Sequence, residues 1–425
     1  KNKGIFFYKK GIFYNMKKFK SHILKRITAG LLGLSLLTTQ AGIIEASEDP
    51  IVTAAPVPEH TESYSQAPDT DSIKDWPKGP KIEATSAVLM DVVTESVLYS
   101  KNADQQLYPA SITKIMTALL ACENLNMEDK LVVSEAAAYG IESGSSSIYG
   151  DAGEEFTVEQ AMMGLMLESA NEMALALAEK TSGSVKKFVE LMNWRARHLS
   201  CKNTHFNNPH GLHDELHYTT ANDMAKIAKA AWFNPEFRKF CTQGIYEIPP
   251  TNKFEETRYL LNHHKMMPTR DYAYEGVLGG KTGWTSAAGS TLVTFAKRGS
   301  TVLMAVVMGG INGNWADTAA LLDYGFNNFE KVNLKLDRTP TPVKLLPNVK
   351  YILRDGGNTY PFYYIRNVYV TVPTGYNVKK LKRKQATLFN AAGPYRIKSK
   401  YYLDGHMVGW GMQYEKEILP DLLLQ

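Results

Sequence analysis

The spacing of hydrophobic positions changes twice along the chain. Over 84–100 and again over 277–308, short apolar runs are separated by polar or glycine-containing turns, which is typical of β-strands. Between 109 and 238 the apolar positions recur at helical spacing, and 315–329 follows the same pattern. Four helices of the middle region are predicted to begin at Ser111, Thr157, Ser184 and Thr220. Strands from both ends flank a helical middle, which predicts an α/β (α+β) fold with one sheet covered by helices.

The C-terminal part has a different pattern. From Val332 the helical periodicity fades, and two runs rich in Tyr, Val and Ile, at 363–372 and 394–403, stand between glycine-containing turns. Such runs predict a small all-β domain over 332–425. The main folded domain is then expected over 81–331.

The first 80 residues are predicted to lie outside both domains. After Met16 a basic stretch precedes a short apolar run, and small residues follow at Ala41 and Ala46, the order of a secretory signal peptide within residues 1–46. The apolar run is shorter than the roughly 20 residues of a permanent membrane span, although an uncleaved anchor is the alternative. Residues 47–80 are rich in Pro, Ser, Thr and acidic residues, which predicts an extended linker.

Charge divides the chain in a similar way. The formal net charge of +5 over 425 residues comes from residues 1–46, which carry nine Lys and Arg against one acid. The basicity is therefore no argument for a nucleic-acid partner. Residues 47–331 have a formal charge of −12 and residues 332–425 one of +9, which suggests two modules that face different partners. A 44% hydrophobic content excludes a disordered chain, and three cysteines are too few for a disulfide scaffold.

The first candidate chemical motif is Ser111-Ile112-Thr113-Lys114. A spacing of three places the hydroxyl and the amine on one face of a helix. A serine becomes a nucleophile when a neighbouring base takes its proton, and a lysine is such a base if burial or the helix dipole lowers its pKa. Taken alone, the same spacing also occurs by chance on solvated helices.

Two further motifs offer complementary groups. Ser169 and Asn171 lie between two predicted helical stretches. Ser169 could relay a proton, and the Asn171 amide could donate to a substrate carbonyl. Lys281 and Thr282 on a predicted strand suit a substrate carboxylate, and Gly283 lets the backbone lie close to an extended ligand. Taken alone, the Ser169 and Asn171 pair is typical of a local helix cap, and the motif at 281–283 is typical of a charged β-hairpin.

The three motifs together, in this order, resemble those of the D-alanyl-D-alanine carboxypeptidases, the low-molecular-mass penicillin-binding proteins of bacterial envelopes. The runs at 107–111, 165–172, 208–212 and 280–283 carry the resemblance, which covers about residues 81–331. It implies a penicillin-binding and β-lactamase-like transpeptidase fold, stem peptides of peptidoglycan ending in D-Ala-D-Ala as substrates, and covalent binding of β-lactams. It implies no metal or organic cofactor.

The resemblance also implies a role for each site residue. Ser111 would form an acyl-enzyme with the penultimate D-Ala, Lys114 would be its base, and Ser169 would relay a proton. Lys281 would hold the terminal carboxylate, with Asn171, Thr282 and Gly283 binding the rest of the substrate. The oxyanion hole would include the Ser111 N–H and one N–H past Gly283. A secreted, extracytoplasmic location at the outer face of the cytoplasmic membrane follows.

Two other functions remain open. A β-lactamase shares the nucleophile and the lysine, although Glu190 and Glu215 lack the expected Glu-x-x-Leu-Asn context. A non-catalytic wall-binding protein of the same fold is the second alternative. Irregular spacing predicts structural rather than metal-binding roles for five histidines, His210, His213, His217, His263 and His264.

The C-terminal end bears on anchoring. The stretch 417–425 is too short to anchor the chain firmly and contains a proline. We hypothesise that the basic C-terminal domain contacts anionic membrane or wall polymer, a solvated basic face being the alternative.

Overall fold

The computed structural model describes residues 60–311, 314–336, 341–344, 359–364, 367–388 and 396–415. The helices are α1 Lys114–Asn124, α2 Glu135–Tyr139, α3 Val158–Leu167, α4 Asn171–Ser182, α5 Val185–His198, α6 Ala221–Phe233, α7 Pro235–Thr242 and α8 Trp315–Asn328. The first nine strands are β1 Ser86–Asp91, β2 Val97–Lys101, β3 Lys130–Val132, β4 Glu155–Thr157, β5 Ile245–Ile248, β6 Arg258–Leu261, β7 Val277–Thr285, β8 Gly289–Arg298 and β9 Thr301–Gly310. The remaining strands are β10 Phe329–Asn333, β11 Thr341–Lys344, β12 Thr359–Tyr364, β13 Tyr369–Pro373, β14 Lys382–Leu388, β15 Arg396–Leu403 and β16 His406–Glu415.

One antiparallel sheet joins the two ends of the main domain. Its order is β2-β1-β9-β8-β7, so strands before and after the helical middle lie side by side. Alternate residues of β1 face opposite sides, as the period of a strand requires. Val88 and Met90 join the core with the middle helices, whereas Ala87 and Leu89 join a second core that includes α8. Both faces of the sheet are therefore covered, and the predicted α+β fold is confirmed.

Polar caps begin the helices where the sequence predicts them. Thr157 forms a capping box with Gln160, and the Ser184 and Thr220 side chains accept backbone N–H groups of the first turns of α5 and α6. The turn at Ser111 differs, because Ala110–Thr113 is a 3-10 helix and the α-helix begins only at Lys114. α7 was not predicted; Pro235 occupies its first position, where proline is tolerated, and the Asn234 side chain caps it.

The predicted extended linker does not hold for residues 60–80. This segment forms two 3-10 turns, Glu62–Ser65 and Asp69–Ser72, and packs on the sheet. Trp76 is 6% exposed and its indole N–H donates to Leu98 O at 2.9 Å. This buried aromatic side chain and hydrogen bonds such as that from Lys101 Nζ to Ser63 O attach the segment to the sheet although its composition is polar. The predicted signal peptide in 1–46 and the linker residues 47–59 lie outside the described residues.

The C-terminal part is an all-β unit, as predicted. A seven-stranded antiparallel sheet runs in the order β10-β13-β16-β12-β11, and β15 pairs with β16 on one side and β14 on the other. The predicted strand over 363–372 is in fact two strands, β12 and β13, whose similar Tyr- and Val-rich composition hides the break. β14 was missed because its composition is basic. The stretch 417–425 lies outside the described residues. Within the described ranges, the structure contains no helix with the length and apolar character of a membrane span.

Candidate active site

Ser111 and Lys114 meet across one tight turn. Side chains three apart are eclipsed in a 3-10 helix, and the turn at Ala110–Thr113 uses this geometry. Lys114 Nζ lies 2.9 Å from Ser111 Oγ and 2.7 Å from both Asn171 Oδ1 and the His210 carbonyl oxygen. Lys114 is 0% exposed, so its amine is shielded from bulk solvent.

Burial makes this amine a base. Desolvation holds the pKa of Lys114 well below the ordinary lysine value, the charge of Lys281 lowers it further, and Glu172 opposes the shift. A neutral amine has two N–H groups and one lone pair. The Asn171 Oδ1 and His210 carbonyl oxygens can only accept, so they take the two N–H groups. The lone pair is then directed at the Ser111 hydroxyl, which is what activation of a serine requires.

Ser169 occupies a strained turn between two helices. α3 ends at Leu167, α4 begins at Asn171, and Ser169 between them has φ 61°. Residues other than glycine rarely adopt this left-handed conformation, and such strain, about 1–3 kcal/mol, is concentrated at functional sites. The Ser169 Oγ atom is buried and has no hydrogen-bond partner among the described residues. It is therefore available to a substrate or a water molecule.

Lys281 lies on β7, the edge strand next to the Ser111 turn. Its side chain is 2% exposed, and Nζ donates to Thr282 O at 3.0 Å. Burial lowers the pKa of Lys281 to about 7, and the Glu168 carboxylate partly offsets this effect. Because β7 has a strand on one side only, its outer edge can pair with an extended peptide.

A cavity of about 310 Å³ opens where these elements meet. Its lining consists of Ser111, Ser146, Ser169, His263, Thr282, Gly283, Trp284, Ser290, Thr291 and Trp315. Four of the seven predicted site residues are part of this lining. The other three, Lys114, Asn171 and Lys281, are at most 2% exposed and lie behind it. The structure therefore brings all seven predicted residues to one site.

Sequence reasoning missed several members of the site. The His210 carbonyl oxygen, which holds Lys114, is a backbone group and leaves no signal in the sequence. Trp315, at the start of α8, lines the cavity although it is distant from the other site residues in sequence. Trp284 also lines it and is 69% exposed. His263, predicted to be structural, also lines the cavity and lies 2.8 Å from Glu168 through its Nε2 atom.

Other histidines make structural hydrogen bonds. His217 Nε2 lies 2.8 Å from Thr113 Oγ1, and His264 Nε2 lies 2.8 Å from Thr294 Oγ1. Burial lowers the pKa of His217 to about 3 and that of His264 to about 4, so both are neutral near pH 7. Among the described residues no group of three or more His, Cys, Asp and Glu side chains could hold a metal ion. Glu190 and Glu215 are exposed and do not line the cavity.

Gly283 lies where β7 passes close to the Ser111 turn. A Cβ atom at this position would lie 2.4 Å from Thr291 Oγ1, 2.7 Å from the Ser111 nitrogen and 3.0 Å from the Ile112 nitrogen. An added methyl group would therefore displace the backbone N–H groups at the nucleophile.

We expect Gly283→Ala to slow acylation by a chromogenic β-lactam by roughly 100-fold, the usual effect of losing one oxyanion donor. Stopped-flow acylation rates would measure this effect. Gly244→Ala is the control, because the nearest atom to its added Cβ is Met267 Cε at 4.0 Å. Equal rates in both variants would contradict the proposed contact.

Comparison with known proteins gives one consistent result. The sequence profile of the family described as D-alanyl-D-alanine carboxypeptidase matches residues 73–312. The chain is 39% identical over 271 residues to D-alanyl-D-alanine carboxypeptidase DacF of Bacillus subtilis, covering 62% of this chain and 67% of that protein. It is 34% identical to DacA of Escherichia coli, with 60% and 64% covered, so the match spans less than two thirds of that relative. Penicillin-binding protein 5 of Haemophilus influenzae superposes with a TM-score of 0.65 at 28% identity, covering 80% of this chain and 98% of that one.

Proposed function

We propose, since the chain belongs to the D-alanyl-D-alanine carboxypeptidase family, that it is a serine hydrolase which removes the terminal D-alanine from peptidoglycan stem peptides. One observation carries this proposal. The buried Lys114 amine lies within hydrogen-bond distance of the Asn171 Oδ1 and His210 carbonyl oxygens and 2.9 Å from the Ser111 hydroxyl in the wall of the cavity. A serine held in this way is prepared for acyl transfer.

In the proposed reaction Ser111 Oγ attacks the carbonyl carbon of the penultimate D-Ala while its proton passes to Lys114 Nζ. The Ser111 N–H stabilises the oxyanion together with an N–H past Gly283. The peptide C–N bond then breaks, and the leaving amine receives the proton from Lys114 by way of the Ser169 hydroxyl. Water hydrolyses the resulting ester and frees Ser111.

The cationic edge of β7 would select the substrate. Lys281 and Thr282 offer a charge and a hydroxyl to the carboxylate at the end of a stem peptide, a group that an internal peptide bond lacks. The same carboxylate is present in β-lactams, which we propose acylate Ser111 as well. Asn171 would orient both Lys114 and the substrate.

Release of free D-alanine tests the proposed function. We expect cleavage of the last peptide bond in a pentapeptide that ends in D-Ala-D-Ala, which frees D-alanine, and little cleavage of the same bond in the C-terminal amide, which would free D-alaninamide. Mass spectrometry of the shortened peptide measures both reactions, and equal cleavage of both peptides, or of neither, would overturn the assignment. The lifetime of the penicillin adduct separates the alternatives, since a β-lactamase would lose the adduct rapidly and a non-catalytic wall-binding protein would not form it.

We propose that the enzyme acts in the cell envelope, outside the cytoplasmic membrane, after secretion by the signal-like segment in residues 1–46. Residues 81–331 would be the catalytic domain and residues 332–425 a separate C-terminal domain. A role in cell-wall biogenesis and cell shape would follow from trimming of stem peptides.

The C-terminal domain would contact an anionic wall polymer through one face of β14, β15 and β16, which we call the basic face. Strand pairing places five cations on it, namely Lys382, Lys384, Arg396, Lys398 and Lys400. Lys384 lies over the Tyr402 ring at 5.0 Å and Lys398 over the Trp410 ring at 4.4 Å, which holds the cations in place. Over 367–386 and 396–414 no large hydrophobic side chain is exposed, which favours a soluble polyanion over a bilayer.

We expect the double variant Lys382→Gln, Lys384→Gln to bind soluble poly(glycerol phosphate) several-fold more weakly than the unchanged protein at low ionic strength. Fluorescence anisotropy would measure the affinity. The control is Lys379→Gln with Lys380→Gln, which removes two exposed charges outside the basic face. The proposal would be wrong if both double variants behaved alike, or if vesicles with anionic lipid bound while the polymer did not.

A further inference from the structure

The His210 carbonyl oxygen lies 2.7 Å from Lys114 Nζ and is one of the acceptors that orient this amine towards Ser111. It belongs to residues 207–212, a segment without helix or strand that we call the His210 loop. Such a segment lacks the regular backbone pairing that fixes a helix or a strand. Contacts from elsewhere in the fold must therefore hold this oxygen in place.

His217 joins the His210 loop to the turn that precedes Lys114. The backbone N–H groups of Asn207 and Asn208 donate to His217 Nδ1 at 3.0 Å and 3.3 Å. Because an N–H group can only donate, Nδ1 carries no proton, and the single proton of the neutral ring is on Nε2. His217 Nε2 therefore donates to Thr113 Oγ1 at 2.8 Å. The ring is 1% exposed, so both ends of this connection are shielded from solvent.

The His210 loop also lies directly against the turn and the helix that carry the candidate catalytic pair. Gly211 has φ 90°, and a Cβ atom there would lie 1.9 Å from Ala110 O. Thr117, about one turn after Lys114 on α1, donates from Oγ1 to Pro209 O at 2.6 Å. Because the loop and the turn are this close, a small shift of the loop would displace its carbonyl group relative to the amine.

We infer that His217 is a positioning residue that ties the His210 loop to Thr113. This connection keeps the His210 carbonyl oxygen on the Lys114 amine. The inference rests on the proposed function, since it concerns the base that activates the nucleophile. His217 does not line the cavity and has no bond to make or break in the reaction. Its loss should therefore slow the chemical step without weakening the binding of substrate.

The test is acylation of His217→Leu by a chromogenic β-lactam, followed by stopped flow over a range of β-lactam concentrations. Leucine fills a similar volume but neither donates nor accepts a hydrogen bond. We expect the limiting rate to fall roughly 10- to 100-fold, because a displacement of about 1 Å in a catalytic site has effects of this size. The β-lactam concentration that gives half of the limiting rate should stay within about twofold.

Thr113→Val tests the other end of the same connection, since valine has the shape of threonine but no hydroxyl group. We expect its limiting rate to fall several-fold. The double variant of Thr113→Val with His217→Leu should be no slower than His217→Leu alone, because both changes break one hydrogen bond. Losses that multiply in the double variant would contradict the inference.

His205→Leu is the matched control. His205 lies beside the same segment, but its Nδ1 atom is 2.6 Å from Leu216 O, outside the His210 loop, and its replacement should leave acylation unchanged. An unchanged limiting rate per folded molecule of His217→Leu, even with a lower melting temperature, would overturn the inference. If this variant failed to fold, an unchanged limiting rate in Thr113→Val would overturn it. Absence of acylation in the unchanged protein would instead count against the proposed function.

Discussion

Replacing Ser111 with alanine is expected to abolish covalent binding of penicillin and to reduce D-alanine release by at least about 1,000-fold. The reason is that Ser111 Oγ is the cavity hydroxyl that lies 2.9 Å from the Lys114 amine, whose pKa burial lowers. Intact-protein mass spectrometry after exposure to penicillin would show the adduct on the unchanged protein and its absence on the variant. Release of D-alanine from the pentapeptide would be measured on the same samples.

Ser169→Ala is the matched control, because Ser169 also lines the cavity and its hydroxyl has no partner among the described residues. As a proton relay, Ser169 should affect the rate but not the place of attachment. We expect this variant to form the adduct on Ser111, more slowly by roughly 100-fold. If the adduct persisted in Ser111→Ala and disappeared in Ser169→Ala, Ser169 would be the nucleophile instead of Ser111.

The sheet and the main helices could be predicted because their signals are local. β1 and β9 alternate between two buried faces, and Thr157 with Gln160 forms the predicted capping box. The Ser111 and Lys114 pair is equally local, since a spacing of three determines their proximity. A contact between residues within one helical turn can therefore be predicted from the sequence alone.

Contacts between distant segments carry no such signal. Glu168 and His263 pair across 95 positions, a contact that exists only in the folded chain. Trp76 is similar, because a polar surrounding sequence predicted a linker although the indole packs on the sheet. In both cases the contact joins residues that are far apart in sequence, and periodicity and composition cannot report such contacts.

Lys114→Arg is expected to reduce acylation by a chromogenic β-lactam by at least about 1,000-fold. Arginine retains the positive charge and the donors of a lysine, but its guanidinium does not lose its proton in proteins. In the unchanged protein burial lowers the pKa of Lys114, so the acylation rate should rise with pH as this amine loses its proton and then level off. In the variant the residual rate should increase with hydroxide concentration without levelling off. Stopped-flow acylation across the pH range would measure both profiles.

Lys101 is a second buried lysine, and replacing it controls for the effect of removing a buried amine. It is 1% exposed, its amine donates to Ser63 O at 2.7 Å and to Ile82 O at 2.9 Å, and burial lowers its pKa. Lys101→Met should lower the melting temperature and leave the acylation rate per folded molecule unchanged, because no nucleophile faces this amine. If Lys114→Arg acylated as fast as Lys101→Met, the charge state of Lys114 would have no part in the reaction, and the base would have to be sought elsewhere in the cavity.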